Sequence, residues 1–583
     1  MNNIKYYLYT SFLFLSFQAI QPSEEIINAP EWRDLELFAS INNTHDGLIG
    51  KFDQINTSFG KQALAATLRT PTTNVVTISK RQQAIGALLS DEKQLPGIVH
   101  HLQSLGANAE SLTDAFGNKT LEQEVNKMFY FTLNKLKHLN TSALALDAHH
   151  AFQQAALLSP VADYVLFHVA LEYLRGAGKG CCGHNHGHDH HTHSHQETPL
   201  GDKLINAIHV SHLVMLPFSI KELVIQRKNK INLINVIYKN VAMASTCFKA
   251  MHAINSIINQ SPSLLATLEE NNALAELFSS TDLQIRELID LLLSNTFPLD
   301  SQLSFFSSVG KTLKAYHLLQ KNYVAIKPAL EVIGSLDALC AVTCHIKQHA
   351  GKNAGYTFVE FVERETPYVN LTQFRNPLLT TDAIVLNDFC AGDHDHQTKL
   401  VITAPNKAGK TCTIKGITLN LVWAQTYGIA AAQSCIMTPF HKILTYITIN
   451  DDIAMDQSKF VASILRADKC MQTVTQLAPG EHAFAIFDDS LFEGTTHEKR
   501  EAASLQFIKE IGANDNTMIL VATHLPALTT LEQDFPRRFK NYTLQLTTNS
   551  NGGKQSSFTL TPGICPASSV FDVIEGQGYT VHT

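Results

Sequence analysis

Leu400, Val401, Ile402 and Thr403 form an apolar run that leads directly into Ala404, Pro405, Asn406, Lys407, Ala408, Gly409, Lys410 and Thr411, and a helical pattern follows. A strand, a loop ending in Gly-Lys-Thr and a helix N-terminus, in that order, let backbone N–H groups cradle phosphates. On this reading Lys410 reaches the β and γ oxygens of a nucleoside triphosphate, and the Thr411 hydroxyl ligates magnesium. The expected cofactor is therefore ATP with Mg2+, bound by residues 404–411. Ala404 stands where glycine is usual, a departure because glycine gives such loops their conformational freedom. A second apolar run, Ala483–Phe487, ends in Asp488, Asp489 and Ser490. Consecutive acids after a buried strand suit a division of labour in which one carboxylate holds magnesium through water and the next orients the attacking water.

A different chemistry is offered by Cys181, Cys182, His184, His186, His188, His190, His191, His193 and His195. Imidazole and thiolate are ligands for zinc, nickel and copper, so Zn2+ or Ni2+ is a candidate here. No fixed four-ligand spacing stands out, and the segment reads equally as a solvated low-complexity insertion with incidental metal affinity.

The elements that must position these residues divide by pattern. From Trp32 to about Leu174, and again from Asp202 to about Ile346, apolar residues recur at helical spacing, as Ile285, Leu288 and Leu292 do. The Gly- and His-rich stretch 176–196 between them reads as a loop. Near Phe374 the grammar changes: Lys399–Thr403 as strand, Lys410–Tyr427 as helix, Ala483–Phe487 as strand, Lys499–Ile511 as helix, Thr517–Ala522 as strand, and Tyr542–Leu560 as a hairpin about Asn551, Gly552 and Gly553. The expected fold is multidomain: an all-α region over 32–370, then an α/β P-loop NTPase domain over 371–583 with a largely parallel sheet.

With Pro405-Asn406 and Gly409-Lys410-Thr411, the loop resembles the phosphate loop of the MutS family of DNA mismatch repair proteins. Arg375-Asn376-Pro377 is similar to that family's Arg-His-Pro, Asn387-Asp388 to its Asn-Asp, and Ala522-Thr523-His524 to its Ala-Thr-His. Upstream, Thr57-Ser58-Phe59-Gly60, Leu68, Pro71 and Arg81-Gln82-Gln83-Ala84-Ile85 resemble the start of the family's core or lever domain. The resemblance implies an ABC-type ATPase, DNA as partner, a dimer through the ATPase domains and a cytoplasmic location. It makes His524 a sensor of the γ-phosphate. Ser458, in the segment that resembles the family's Ser-Thr-Phe-x-x-Glu signature, would face a partner's nucleotide, with Ser463 where Glu is usual. It also sets a register for the acids. Aligning on Leu491-Phe492-Glu493-Gly494-Thr495 makes Asp489 the magnesium residue and puts Ser490 at the catalytic position, with slow hydrolysis; aligning on the strand makes Asp488 the magnesium residue and Asp489 a shortened Glu. The first register is the favoured expectation. The family's mismatch-reading and connector domains find no room before residue 40, and no helical tail follows Gly563.

The chain has 583 residues, 45% hydrophobic and 17% charged, with a net charge of -7. Such a balance argues for a folded protein and against a generally basic nucleic-acid binder. Lys5 and the apolar run Tyr6–Phe17 resemble a secretory signal peptide over residues 1–21, although Phe17 makes a poor cleavage position and an apolar N-terminal helix fits too. That run is short for a membrane span. If it is a signal, the protein is exported or membrane-attached. Three functions follow as expectations: an ATP-dependent DNA-binding ATPase; a nucleotide switch or scaffold with little hydrolysis, suggested by Ala404, Ser463 and Ser490; and an exported metal-binding protein on the same fold.

Overall fold

Every residue of Lys399–Thr403, Ala483–Phe487 and Thr517–Thr523 is buried, the requirement of parallel strands covered on both faces. In the computed structural model, which describes residues 25–39, 47–117, 119–156, 169, 200–268, 272–297, 309–351, 355–379, 384–405, 408–447, 459–548 and 554–565, these runs build the centre of one sheet. In chain order the strands are β1 (Thr357–Phe358), β2 (Glu360–Phe361), β3 (Val369–Phe374), β4 (Asn387–Ala391), β5 (Lys399–Thr403), β6 (Ile429–Ala430), β7 (Ser434–Met437), β8 (Lys442–Tyr446), β9 (Ala483–Phe487), β10 (Thr517–Thr523), β11 (Phe539–Thr548) and β12 (Lys554–Pro562). The main sheet runs β12-β11-β5-β10-β9-β8, parallel except for the antiparallel β11–β12 hairpin at one edge. A second sheet, β2-β7-β3-β4, is mixed, and β1 pairs with β6.

The expected strands and the helix Lys410–Tyr427 appear where their patterns end, and the helix expected from Lys499 begins two residues earlier as His497–Ile511. Strands begin sooner than the change of grammar near Phe374: β1 and β2 are two residues each, too short to leave a periodic signal. The tip of the hairpin, Asn551 to Gly553, lies outside the described residues.

By contact the chain forms two compact units. The first contains residues 1–99, 257–271 and 333–583, and so joins the α/β sheet with helices Ser58–Arg69 and Val75–Ser90. The second, residues 100–256 and 272–332, is helical. There Asp147 caps the start of the helix Gly310–His349, accepting from the backbone N–H of Val309 at 2.8 Å and of Gly310 at 2.7 Å. That helix is long and apolar enough to cross a membrane, but 83% of its apolar window is buried within the protein. Leu288 and Leu292 are fully buried, as their spacing predicts.

Candidate active site

Registers among the central strands bring their C-terminal ends to one edge of the sheet. Thr523 of β10 pairs with Thr403 of β5, and Val521 with Phe487 of β9. The residues that follow each strand, Ala404, Asp488 and His524, therefore emerge together, where open α/β sheets bind ligands. Strand β10 lies between β5 and β9, the strand that ends in the acids.

Gly409 (φ 98°) precedes the helix Lys410–Tyr427, whose N-terminus has no side-chain cap. A Cβ at Gly409 would lie 2.9 Å from Phe558 Cδ1 of β12, so the left-handed turn and the packing both require glycine. Ala404 is different. Positive φ among the described non-glycine residues is confined to Glu36, Gln373, Phe492 and Phe558, so Ala404 needs no glycine-like backbone. Its methyl is buried with Ala408 and Leu544.

The Lys410 side chain is 6% exposed. Its Nζ donates to the Ala404 carbonyl at 2.8 Å and to His524 Nε2 at 2.6 Å, and lies 3.7 Å from Asp489 Oδ2. Burial lowers the Lys410 pKa from its ordinary value, opposed by Asp489 and Asp488. An ammonium group held this way, beside an uncapped helix N-terminus, fits a polyphosphate ligand.

The two acids have separate partners. Thr411 Oγ1 donates to Asp488 Oδ2 at 2.7 Å, whereas Asp489 accepts the His524 backbone N–H on Oδ1 at 2.7 Å and has Oδ2 3.3 Å from His524 Nε2. Asp488 also accepts the Asp489 N–H at 2.5 Å, and burial raises its pKa. Burial likewise lowers the pKa of His524, with Asp489 opposing, and its Nε2 lies between Lys410 Nζ and Asp489 Oδ2. Ser490 points elsewhere, donating to the Ile447 carbonyl at 2.7 Å. This geometry departs from the favoured sequence register: the acid beside Thr411 is Asp488 rather than Asp489, because Asp488 directly follows the last paired residue of β9. Ser463 is fully buried and donates to the Phe460 carbonyl at 2.8 Å.

Two family models match. MutS domain III covers residues 32–343, more than half of the chain, and MutS domain V covers residues 400–579. The chain belongs to the MutS family. It is similar to the DNA mismatch repair protein MSH3 of Arabidopsis thaliana, 24% identical over 266 residues, 44% of this chain and 24% of that protein. It is also similar to MutS of Leuconostoc mesenteroides, 30% identical over 28% of this chain and 19% of the relative, and to MutS of Staphylococcus saprophyticus, 27% identical over 44% and 27%. In each comparison the matched stretch spans about a quarter or less of the relative's length.

The MutS-like landmarks fall around the helix Lys410–Tyr427. Asn376 Nδ2 donates to the Cys412 carbonyl at 2.9 Å in its first turn. At its other end Arg81 Nη1 donates to the Thr426 carbonyl at 2.5 Å, and Gln82 Nε2 to the carbonyls of Gly428 at 2.7 Å and Val359 at 2.9 Å. Asn387 clasps β12, donating to the Phe558 carbonyl at 3.0 Å and accepting the Leu560 N–H at 2.7 Å. Sequence reasoning missed the hairpin's part in the site: Ser556 Oγ donates to the Ala408 carbonyl at 3.0 Å, a contact across 148 residues that no local pattern announces. Asn406, Lys407 and Ser458, the histidine-rich segment Cys181 to His195, and the signal-like segment 1–21 lie outside the described residues.

Proposed function

We propose that this MutS-family protein is a magnesium-dependent ATPase that couples nucleotide turnover to duplex DNA. The observation that carries the reading is the pair of neighbouring carboxylates with different partners, Asp488 on Thr411 and Asp489 on His524 and Lys410. The insertion of β10 between β5 and β9 supports an ABC-type ATPase fold, which leaves room for a second acid beside the phosphate loop.

Bound Mg-ATP supplies a phosphoanhydride whose γ-phosphoryl group is open to attack by water. Lys410 and the first-turn N–H groups would hold the phosphates, and Thr411 with Asp488 would hold the metal. Asp489 orients the water and accepts its proton, in the strand-aligned register. His524, bonded to Lys410 in the unliganded site, would take a proton at Nε2 when Lys410 turns to phosphate, donate there to the γ-phosphate and so report occupancy of the site. Asp489 is one methylene shorter than the family's glutamate, which favours as second reading a nucleotide switch with slow turnover. Steady-state hydrolysis tests this directly: turnover lost in Lys410→Ala supports the ATPase, and nucleotide binding without turnover supports the switch.

The relatives are named DNA mismatch repair proteins, and we extend DNA binding and dimerisation through the ATPase domains to this chain as proposals. Phosphate contacts release counterions, so duplex affinity should fall steeply with salt. A flat salt dependence would remove DNA from the account.

A further inference from the structure

Beyond the last residue of β4 the chain turns at Gly392 (φ 85°), where a Cβ would lie 1.9 Å from the Pro367 carbonyl oxygen. The turn is closed by the Gly392 N–H donating to the His396 carbonyl at 2.9 Å. Asp393 Oδ1 accepts the N–H groups of Asp395 at 3.0 Å and His396 at 2.7 Å, which fixes its carboxylate at the centre. Around it stand His396 Nδ1, 2.7 Å from Asp393 Oδ1, and Cys390 Sγ, 3.3 Å from Asp393 Oδ2. One sulfur, one nitrogen and one oxygen thus converge, all within 4.8 Å of one another.

We propose that Cys390, Asp393 and His396 form a binding site for a divalent transition metal of the zinc class, distinct from the magnesium site at the phosphate loop. Tetrahedral bonds of zinc to sulfur, nitrogen and oxygen place ligand atoms about 3.3–3.8 Å apart. The Cys390–Asp393 separation of 3.3 Å already lies there, and the His396–Asp393 pair at 2.7 Å opens as the ion replaces the hydrogen between them. Thiolate and imidazole discriminate against magnesium, which takes oxygen ligands. One thiolate and one carboxylate neutralise the dication. Asp393 and His396 are partly exposed, with side chains 29% and 40% accessible, so water reaches the remaining coordination position.

The bound ion takes the place of two hydrogens now shared within the turn. The Cys390 S–H bond breaks and its proton leaves to solvent as the metal–sulfur bond forms. The His396 ring gives its Nδ1 proton to solvent, takes one at Nε2 and binds through the freed Nδ1 lone pair. One proton is released per ion. A nucleophilic role does not fit, because the thiol donates to the carboxylate rather than to the imidazole that would have to activate it.

The test is titration of the full chain with Co2+, read by thiolate-to-cobalt charge-transfer absorption. It is done in a Cys181→Ser, Cys182→Ser background, so that the histidine-rich segment contributes no sulfur signal. With Co2+ in excess of what the histidine-rich segment takes up, the band should develop to a limit of one thiolate-bound ion per chain, and Zn2+ should displace it. Cys390→Ser should abolish the band, and His396→Gln, on the partly exposed turn, should weaken Co2+ binding at least about tenfold. No band in this background, a band that persists in Cys390→Ser, or unchanged affinity in His396→Gln overturns the site; thermal melting of each variant shows that it is folded.

Discussion

The hydroxyl of Thr411 donates to Asp488 at 2.7 Å across 77 residues of sequence. It joins the first turn of the helix Lys410–Tyr427 to the end of β9, and it singles out Asp488 as the carboxylate next to the hydroxyl proposed to ligate magnesium. Asparagine can still accept that hydrogen bond but lacks the charge. Asp488→Asn should therefore reduce the magnesium-dependent gain in ATP affinity by at least about tenfold, measured as dissociation constants with and without magnesium. An unchanged gain would argue against this assignment.

The same carboxylate weakens the unliganded fold. Burial raises its pKa, so folding disfavours the ionised form; the penalty is absent below the unfolded-state value and fully present above the folded-state value. The neutral amide introduced by Asp488→Asn carries no such penalty. Without nucleotide or magnesium, the Tm of Asp488→Asn relative to wild type should rise from acid to neutral pH. A difference that is constant with pH contradicts the sign.

Ser490 separates the two registers. Its hydroxyl serves the Ile447 carbonyl, so Ser490→Ala should cost about 1 kcal/mol of stability and leave ATP turnover within about twofold, since no transition-state contact is removed. Denaturation and steady-state kinetics on one preparation check both. A turnover collapse without unfolding would restore the register that puts position 490 at the chemistry.

Gly428 ends the helix Lys410–Tyr427 at φ 70°, and a Cβ there would meet Gln82 Cγ at 2.4 Å. Gly428→Ala should destabilise by about 1–3 kcal/mol, and Gln82→Ala by about 1–2 kcal/mol through its two lost hydrogen bonds. Shortening Gln82 relieves the clash, so the double variant should lose less than the sum of the two in denaturant titrations. Strict additivity would mean the residues do not meet.

What could be read from the sequence follows from what is local. Lys399–Thr403, Ala483–Phe487 and Thr517–Ala522 announce themselves because strands buried on both faces are continuous apolar runs, and Lys410–Tyr427 because it follows Gly409 directly. The register of Asp488 and Asp489 could not be read this way, since it depends on a hydroxyl far along the chain. The union of Val75–Ser90 with the α/β unit was equally hidden: Arg81 and Gln82 bind backbone carbonyls, which any residue provides. Ala404 looked like a defect by motif and is none by backbone conformation.

The central claim is that Asp489, held by the His524 N–H, carries hydrolysis. Single-turnover hydrolysis by wild type and Asp489→Asn, with ATP affinity measured in parallel, tests it most directly. The account predicts that wild type cleaves ATP and that Asp489→Asn binds it with similar affinity but cleaves it about a hundredfold or more slowly. Equal cleavage by both proteins, or ATP binding by wild type with no cleavage, would contradict it.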